Sequence, residues 1–146
     1  MKILIQRVLS ANVKVEGETI GQINQGLLLL VGFGRDDAEV DLARMAERVV
    51  NLRIFSDEEG RFQDSVLEVG GGLLAIPQFT LYGDTRKGRR PDFTQALEPA
   101  LATDLFDQFG NELKNTGVGR VETGQFGADM TVTLVNDGPV TLTLEA

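Results

Sequence analysis

The sequence predicts an α+β fold with mostly antiparallel strands, on three observations. Apolar residues alternate, or run unbroken over short stretches, through both ends of the chain. Two segments with helical spacing interrupt this β pattern, and two helices are too few for the regular alternation of an all-parallel sheet. Both helices are therefore expected to cover one sheet face. At 146 residues, with 42% hydrophobic and 25% charged residues, the chain fits one domain over residues 1–146, a size that buries about 68–70% of its unfolded surface.

Residues 2–8 and 12–16 read as strands, with Gly17 turning the chain into a short strand that ends at Ile23. GLLLLVGF (26–33) reads as a strand buried on both faces. From Asp36 the spacing changes. Val40, Ala43, Ala46 and Val50, with Leu42, Met45 and Val49 beside them, predict a helix of about four turns capped by the Asp36–Asp37 pair. Leu52–Phe55 reads as a short strand, DEEG (57–60) as a turn, and GGLLAIPQFTL (71–81) as the next strand. A helical region runs from about Thr94 to Leu113, with Pro99 suited to the first position of its main helix. Val118–Glu122, Met130–Val135 and Val140–Leu144 complete the set as strands.

The chain has no His and no Cys. Ser-His-Asp and Cys-His nucleophile pairs and His/Cys zinc sites therefore cannot be built within it. Chemistry must come from carboxylates, hydroxyls, Lys, backbone amides or the substrate. The N-terminus alternates like a strand, without the apolar core of a signal peptide, and the run from Leu27 to Val31 is far below the roughly 20 residues that span a bilayer. A cytoplasmic protein with no membrane partner is expected, and the absence of Cys agrees with that.

Three stretches invite a functional reading. GFGRDD (32–37) follows a strand and precedes a helix, but Asp37 stands where a dinucleotide-binding loop needs its third glycine, and paired carboxylates repel a pyrophosphate. It reads as a turn and helix cap. VNDGPVTLTL (135–144) carries Asn-Asp-Gly between two alternating runs, first of all a hairpin signal, complicated by Pro139, which cannot donate to a ladder. In PQFTL (77–81), Pro77 removes a donor from a strand, which must then lie at an edge or open onto something other than a strand. Free N–H groups there suit a chain that must polarise a carbonyl without His or Cys. The loop that follows holds Arg86, Lys87, Arg89 and Arg90 against Asp84, a charge of +3 in a chain of net −8.

Taken together, an early QRV with Arg7, GLLLLVG, NLRIFSDEEG, QFTLYGDTRKGRRPDF, TGQFGADM and the closing VNDGPVT resemble, nearly end to end, the D-aminoacyl-tRNA deacylase family, also called D-tyrosyl-tRNA deacylase. The resemblance implies a barrel-like α+β fold with two main helices packed outside. It implies a homodimer with the active site at the subunit interface, and hydrolysis of the ester joining a D-amino acid to the 3′ end of tRNA, a proofreading reaction. QFTL and NDGPV match the family's two signature motifs. By that match, Gly138-Pro139 is a cis pair reaching into the partner's pocket to exclude L side chains. Arg7 holds that turn, and Phe126 and Met130 lie near the pocket. Pro77 departs from the family's usual Ser and matches a related group of tRNA deacylases with different chirality preference, although Phe79 would usually be small there. RFQDS (61–65) is a second departure.

The reading that follows has water as nucleophile, with no metal and no cofactor. Backbone N–H groups near Phe79 and Thr80 stabilise the oxyanion, Gln78 positions the substrate, and the vicinal 2′-hydroxyl of the terminal adenosine helps activate water. Thr80 as a covalent nucleophile ranks lower, because no general base stands beside it in the sequence. Glycine has no side chain to exclude, so mischarged glycyl-tRNA is an expected substrate. Arg86, Lys87, Arg89 and Arg90 are expected to meet tRNA phosphates. The alternatives are an editing deacylase of altered chirality preference and a non-catalytic nucleic-acid-binding dimer on the same fold.

Overall fold

The computed structural model describes residues 1–146. The elements, in order, are β1 (Lys2–Val15), β2 (Glu18–Ile23), β3 (Gly26–Gly32), α1 (Leu42–Val50), β4 (Phe55–Ser56), β5 (Phe62–Asp64), β6 (Gly72–Pro77), a 3₁₀ turn (Phe79–Tyr82), α2 (Pro99–Asn115), β7 (Val121–Thr123) and β8 (Met130–Glu145). A barrel-like sheet runs β2-β1-β3-β6-β7, with β8 paired to the other edge of β1, and β4–β5 forms a separate hairpin.

Most strand pairs are antiparallel, as expected: β1 with β2, β3 and β8, and β4 with β5. The two helices nevertheless sit in crossovers, since β3–β6 and β6–β7 are parallel. A parallel pair needs a long connection, and each helical segment supplies one.

The unbroken apolar run of β3 arises because both of its faces are covered. Leu27 and Leu29, with Leu73 and Ala75 of β6, face the helices and pack with Met45, Val49, Phe106 and Phe109. Leu28, Leu74 and Ile76 face the barrel interior with Val8, Ala11, Val13 and Ile23. β1 serves both cores. Ile3 and Ile5 face the helices while Val8, Ala11 and Val13 face the interior, and the register shift at Val8/Ser10, one extra residue on β1, turns the odd-numbered positions from the helix side to the interior.

Several boundaries differ from the sequence reading. Residues 2–8 and 12–16 belong to one long strand, and the gap between them is the register shift. α1 has nine residues rather than four turns; its N-cap is Asp41, whose side chain accepts from Arg44 N–H, and Ala43 is exposed. Asp37 instead caps a tight turn, accepting from Gly34 N–H at 2.6 Å. The strand predicted at Leu52–Phe55 reduces to Phe55–Ser56, and the one at Val118–Glu122 shifts to Val121–Thr123. α2 begins at Pro99, as predicted, capped by Glu98.

Two corrections reach the functional motifs. The strand predicted through Leu81 stops at Pro77, and Phe79–Tyr82 coils into the 3₁₀ turn. Asn136-Asp137-Gly138 makes no hairpin. Residues 130–145 are a single strand along β1, and the segment 137–140 bulges out opposite Arg7, between the pairs Gln6↔Thr141 and Val8↔Asn136. No helix is long and apolar enough to cross a membrane.

Candidate functional site

Pro77 ends β6 where its pairing with β7 runs out. Leu73 N–H donates to Arg120 O and Ala75 O accepts from Gly124 N–H, so odd residues of β6 face β7, while Gln78 N–H donates to Val31 O on the β3 side at 2.7 Å. Pro77 therefore points toward β7 just beyond Thr123, the last residue of that strand, so the N–H it lacks falls where the pairing ends.

Beyond it the 3₁₀ turn closes with Leu81 N–H on Gln78 O at 3.3 Å and Gly83 N–H on Thr80 O at 2.9 Å. The first amides of any helical turn lack internal partners, and here those are Phe79 and Thr80, whose N–H groups meet no acceptor. Thr80 Oγ1 accepts from Gln78 Nε2, and no carboxylate or amine bonds the Thr80 hydroxyl. A Thr80 nucleophile would have no base.

This turn forms one rim of a cavity of about 680 Å³. Pro77, Gln78, Phe79, Phe126 and Met130 line it, so five sequence-predicted residues come together. Thr80 lies one step along the rim. Phe93 and Ala96 to Pro99 form a further wall, and none of them was singled out as a site residue from the sequence. Its one signal was Phe93, which closes the motif QFTLYGDTRKGRRPDF just after the basic loop. Phe93 stands edge-on to Phe79, ring centroids 5.1 Å apart. The surface is an apolar trough with polar groups at one lip, a form suited to a small organic group held beside a polarised carbonyl.

The basic loop leaves and rejoins this rim through reciprocal backbone bonds between Asp84 and Asp92, at 2.7 and 2.9 Å. Its four cations are not equivalent. Arg86 forks onto Asp84, Nε to Oδ1 at 2.9 Å and Nη2 to Oδ2 at 2.6 Å, and the hydrogen bonds from Arg86 hold the Asp84 carboxyl down at about 2. Both partners therefore stay ionised at any ordinary pH. Lys87, Arg89 and Arg90 are exposed and form no ion pair.

Arg7, Gly138 and Pro139 lie elsewhere. Arg7 is only 7% exposed. Its Nη1 donates to Ile54 O at 2.6 Å and its Nε to Asp137 O at 3.3 Å, with Asp137 Oδ2 at 3.2 Å. Asn136 closes the bulge from the other side, Oδ1 accepting Val140 N–H and Nδ2 donating to Thr141 Oγ1. Gly138 has φ +122°, and a Cβ there would meet Val140 Cγ2 at 2.9 Å and Arg7 Nη2 at 3.1 Å, so no side chain fits. Gly138-Pro139 is cis and both residues are exposed, close to exposed Leu9 and Val135. Eight residues of one strand separate Gly138 from Met130 in the cavity, on the order of 20 Å at the usual rise per residue. Both predicted groups exist, but one chain holds them far apart.

A family model described as D-Tyr-tRNA(Tyr) deacylase matches residues 4–145, and the chain belongs to that family. Proteins named D-aminoacyl-tRNA deacylase from Thermosipho africanus and Bacillus cytotoxicus are 52% and 53% identical over 146 residues, covering 100% of this chain and 97% and 99% of theirs. One of the same name from Chloroherpeton thalassium is 54% identical, covering 100% and 96%. A solved structure described as c-Myc DNA Unwinding Element Binding Protein superposes with a TM-score of 0.91 at 37% identity, over 100% of this chain and 99% of that one. Another, of a probable eukaryotic D-amino acid tRNA deacylase, gives 0.86 at 18% identity over 98% and 97%, a likeness of fold alone.

The bonds around Arg7 predict that Arg7→Met lowers unfolding free energy by about 1.5–3 kcal/mol, because Ile54 O and Asp137 lose a charged donor. Urea titration measures this. A change within about 0.5 kcal/mol, the range of an ordinary surface substitution, would show that Arg7 does not hold the bulge.

Proposed function

We propose that this protein hydrolyses the ester bond of D-aminoacyl-tRNA, releasing the free D-amino acid and tRNA, as a chiral proofreading enzyme. The observation that carries the proposal is the pair of unpartnered amides, Phe79 and Thr80, at the lip of an apolar cavity. Water attacks the ester carbonyl carbon. The carbonyl oxygen takes up the negative charge facing the two N–H groups, and the tetrahedral species collapses with cleavage of the bond to the ribose 3′-oxygen. That oxygen leaves with a proton, and the neighbouring 2′-hydroxyl assists water in a chain that has no His. One such donor is typically worth about 2.7–4 kcal/mol of barrier. Gln78 positions the ester, and its place in the cavity wall supports that assignment.

The enzyme acts as a homodimer in which Gly138 and Pro139 of one subunit close the pocket of the other. The separation of the two groups along β8 supports this, as does the exposed apolar surface of Leu9 and Val135 beside the bulge. Held there by Arg7, the turn excludes an L side chain by contact and tolerates the hydrogen that a D residue presents. Glycyl-tRNA escapes this filter and is cleaved. Phe126 and Met130 line the amino acid's side of the cavity, and Pro77 shapes the strand end without supplying a donor. Lys87, Arg89 and Arg90 contact phosphates of the acceptor end in the cytoplasm, while Arg86 is spent on the loop itself. A second reading, nucleic-acid binding without catalysis, draws on that exposed basic loop and on the relative described as a DNA unwinding element binding protein.

Side-by-side deacylation of D-, L- and glycyl-tRNA tests the proposal. D and glycyl substrates are expected to be cleaved and L to survive. Binding without turnover would establish the second reading, and cleavage of L as readily as D would make Pro77 the mark of a different editing specificity. For the loop, Arg89→Glu with Arg90→Glu is expected to reduce the log–log salt slope of tRNA binding by about 1.4–1.8, at roughly 0.7–0.9 per phosphate contact. Arg86→Gln should leave the slope nearer native. An unchanged slope in the double variant would place the loop away from the RNA.

A further inference from the structure

GFGRDD, set aside above as a nucleotide-binding loop, lies directly behind the 3₁₀ turn. A Cβ on Gly32 would stand 2.7 Å from Gln78 O, and one on Gly34 would meet the Tyr82 ring at 2.4 Å. Both glycines therefore serve a close approach by the turn. Tyr82, the last residue of the turn, donates its hydroxyl to Asp37 Oδ2 at 2.8 Å, the same oxygen that accepts Gly34 N–H. The Met1 ammonium contacts Asp37 Oδ1, and the Lys2 ammonium stands 4.9 Å from the Tyr82 ring centroid.

The turn is thus fixed at two points. Gln78 N–H is bonded to Val31 O at its start, and Tyr82 is bonded to Asp37 at its end. Between those anchors lie Phe79 and Thr80, whose amides are the ones left free. Neither Tyr82 nor Asp37 lines the cavity, so neither lies beside the position of the ester. We propose that Asp37 and Tyr82 are positioning residues for the hydrolysis. Their hydrogen bond sets the pitch of the turn, and so aims the Phe79 and Thr80 N–H groups at the position the oxyanion will occupy. This deepens the proposed ester hydrolysis and rests on it. An oxyanion donor works only if it is held in place before the charge develops, and a 3₁₀ turn of four residues has little rigidity of its own.

Ionisation is compatible with this role. Burial, and then the hydrogen bond to Asp37, push the Tyr82 phenol above its ordinary range. Burial alone would raise the Asp37 carboxyl, but the Met1 ammonium, the Gly34 amide and the Tyr82 hydroxyl outweigh it and hold the group below its ordinary value. A neutral donor and a charged acceptor therefore face each other throughout the physiological range.

The test is steady-state D-aminoacyl-tRNA deacylation by Tyr82→Phe and Asp37→Asn, with each variant's unfolding midpoint measured so that rates are compared on folded protein. Tyr82→Phe removes one oxygen and keeps the ring in its seat. A bond that acts only on transition-state donors lowers kcat and leaves KM in place, so kcat is expected to fall about tenfold or more in both variants with KM within about twofold. Native kcat in a folded Tyr82→Phe protein would overturn the positioning role while leaving the hydrolase reading intact, and so would a rise in KM alone. Absence of turnover in the native protein would remove the hydrolase reading itself, and this inference with it.

Discussion

The long antiparallel pairing of β1 with β8 is the constraint on which the rest depends. It runs from Lys2↔Glu145 to Val15↔Met130 and is interrupted by two adjacent register shifts, one opposite Arg7 and one at Leu9. One end of β8 delivers Met130 to the floor of the apolar cavity, while the interruption throws Gly138 and Pro139 outward, on the order of 20 Å away by the rise of a strand. A ladder bonded along its length does not bend back on itself, so the bulge cannot reach the cavity of its own chain. The neighbouring shift, at Val8/Ser10, puts an extra residue on β1 and lets that strand change faces and serve two cores.

Within the cavity the chemistry follows from what the chain lacks. With neither His nor Cys, the proposed activation falls to geometry, in the form of two amides left over at the start of a 3₁₀ turn beyond a proline that ends its strand. Charge is arranged with similar economy. Asp84 takes up Arg86 and thereby shapes the loop, leaving three free cations beside the rim on a chain whose net charge of −8 discourages indiscriminate nucleic-acid binding.

The sequence made the cores and α2 legible because their signals are local. The run Leu27–Val31, the capped Pro99 start and the alternation through β8 each state their structure within a few residues. Gln78 to Tyr82 did not, since it alternates polar and apolar residues as a strand does. What coils it is tertiary: Gly32 and Gly34 make room for it, and Asp37 takes its final hydroxyl 45 positions away. Asn136-Asp137-Gly138 misled for the same reason. A hairpin is the local preference, but β8 has a ready partner in β1, and Arg7 fixes the excess residues as a bulge from a separation of 130. The pair Asp36–Asp37 looked like a helix cap because carboxylates before an apolar spacing usually are one, and the actual cap, Asp41, carries the same signal a few residues on. The candidate site was legible largely through motif resemblance. The walls contributed by Leu97 and Glu98 carry no pattern of their own.

The division of the site between two subunits is tested most directly by mixing disabled chains. Ala128→Trp fills the cavity and leaves the bulge intact, whereas Pro139→Gly alters the bulge and leaves the cavity open. With the cavity-filled chain in large excess, nearly every open cavity sits in a mixed dimer, facing an intact Gly138-Pro139 turn from the partner. Relative to Pro139→Gly alone, which is expected to cleave L as well as D substrates, the mixture should regain selectivity for D-aminoacyl-tRNA. Selectivity that stays as poor in the mixture as in Pro139→Gly alone would mean that each cavity depends on its own chain, and that the turn does not act across the interface.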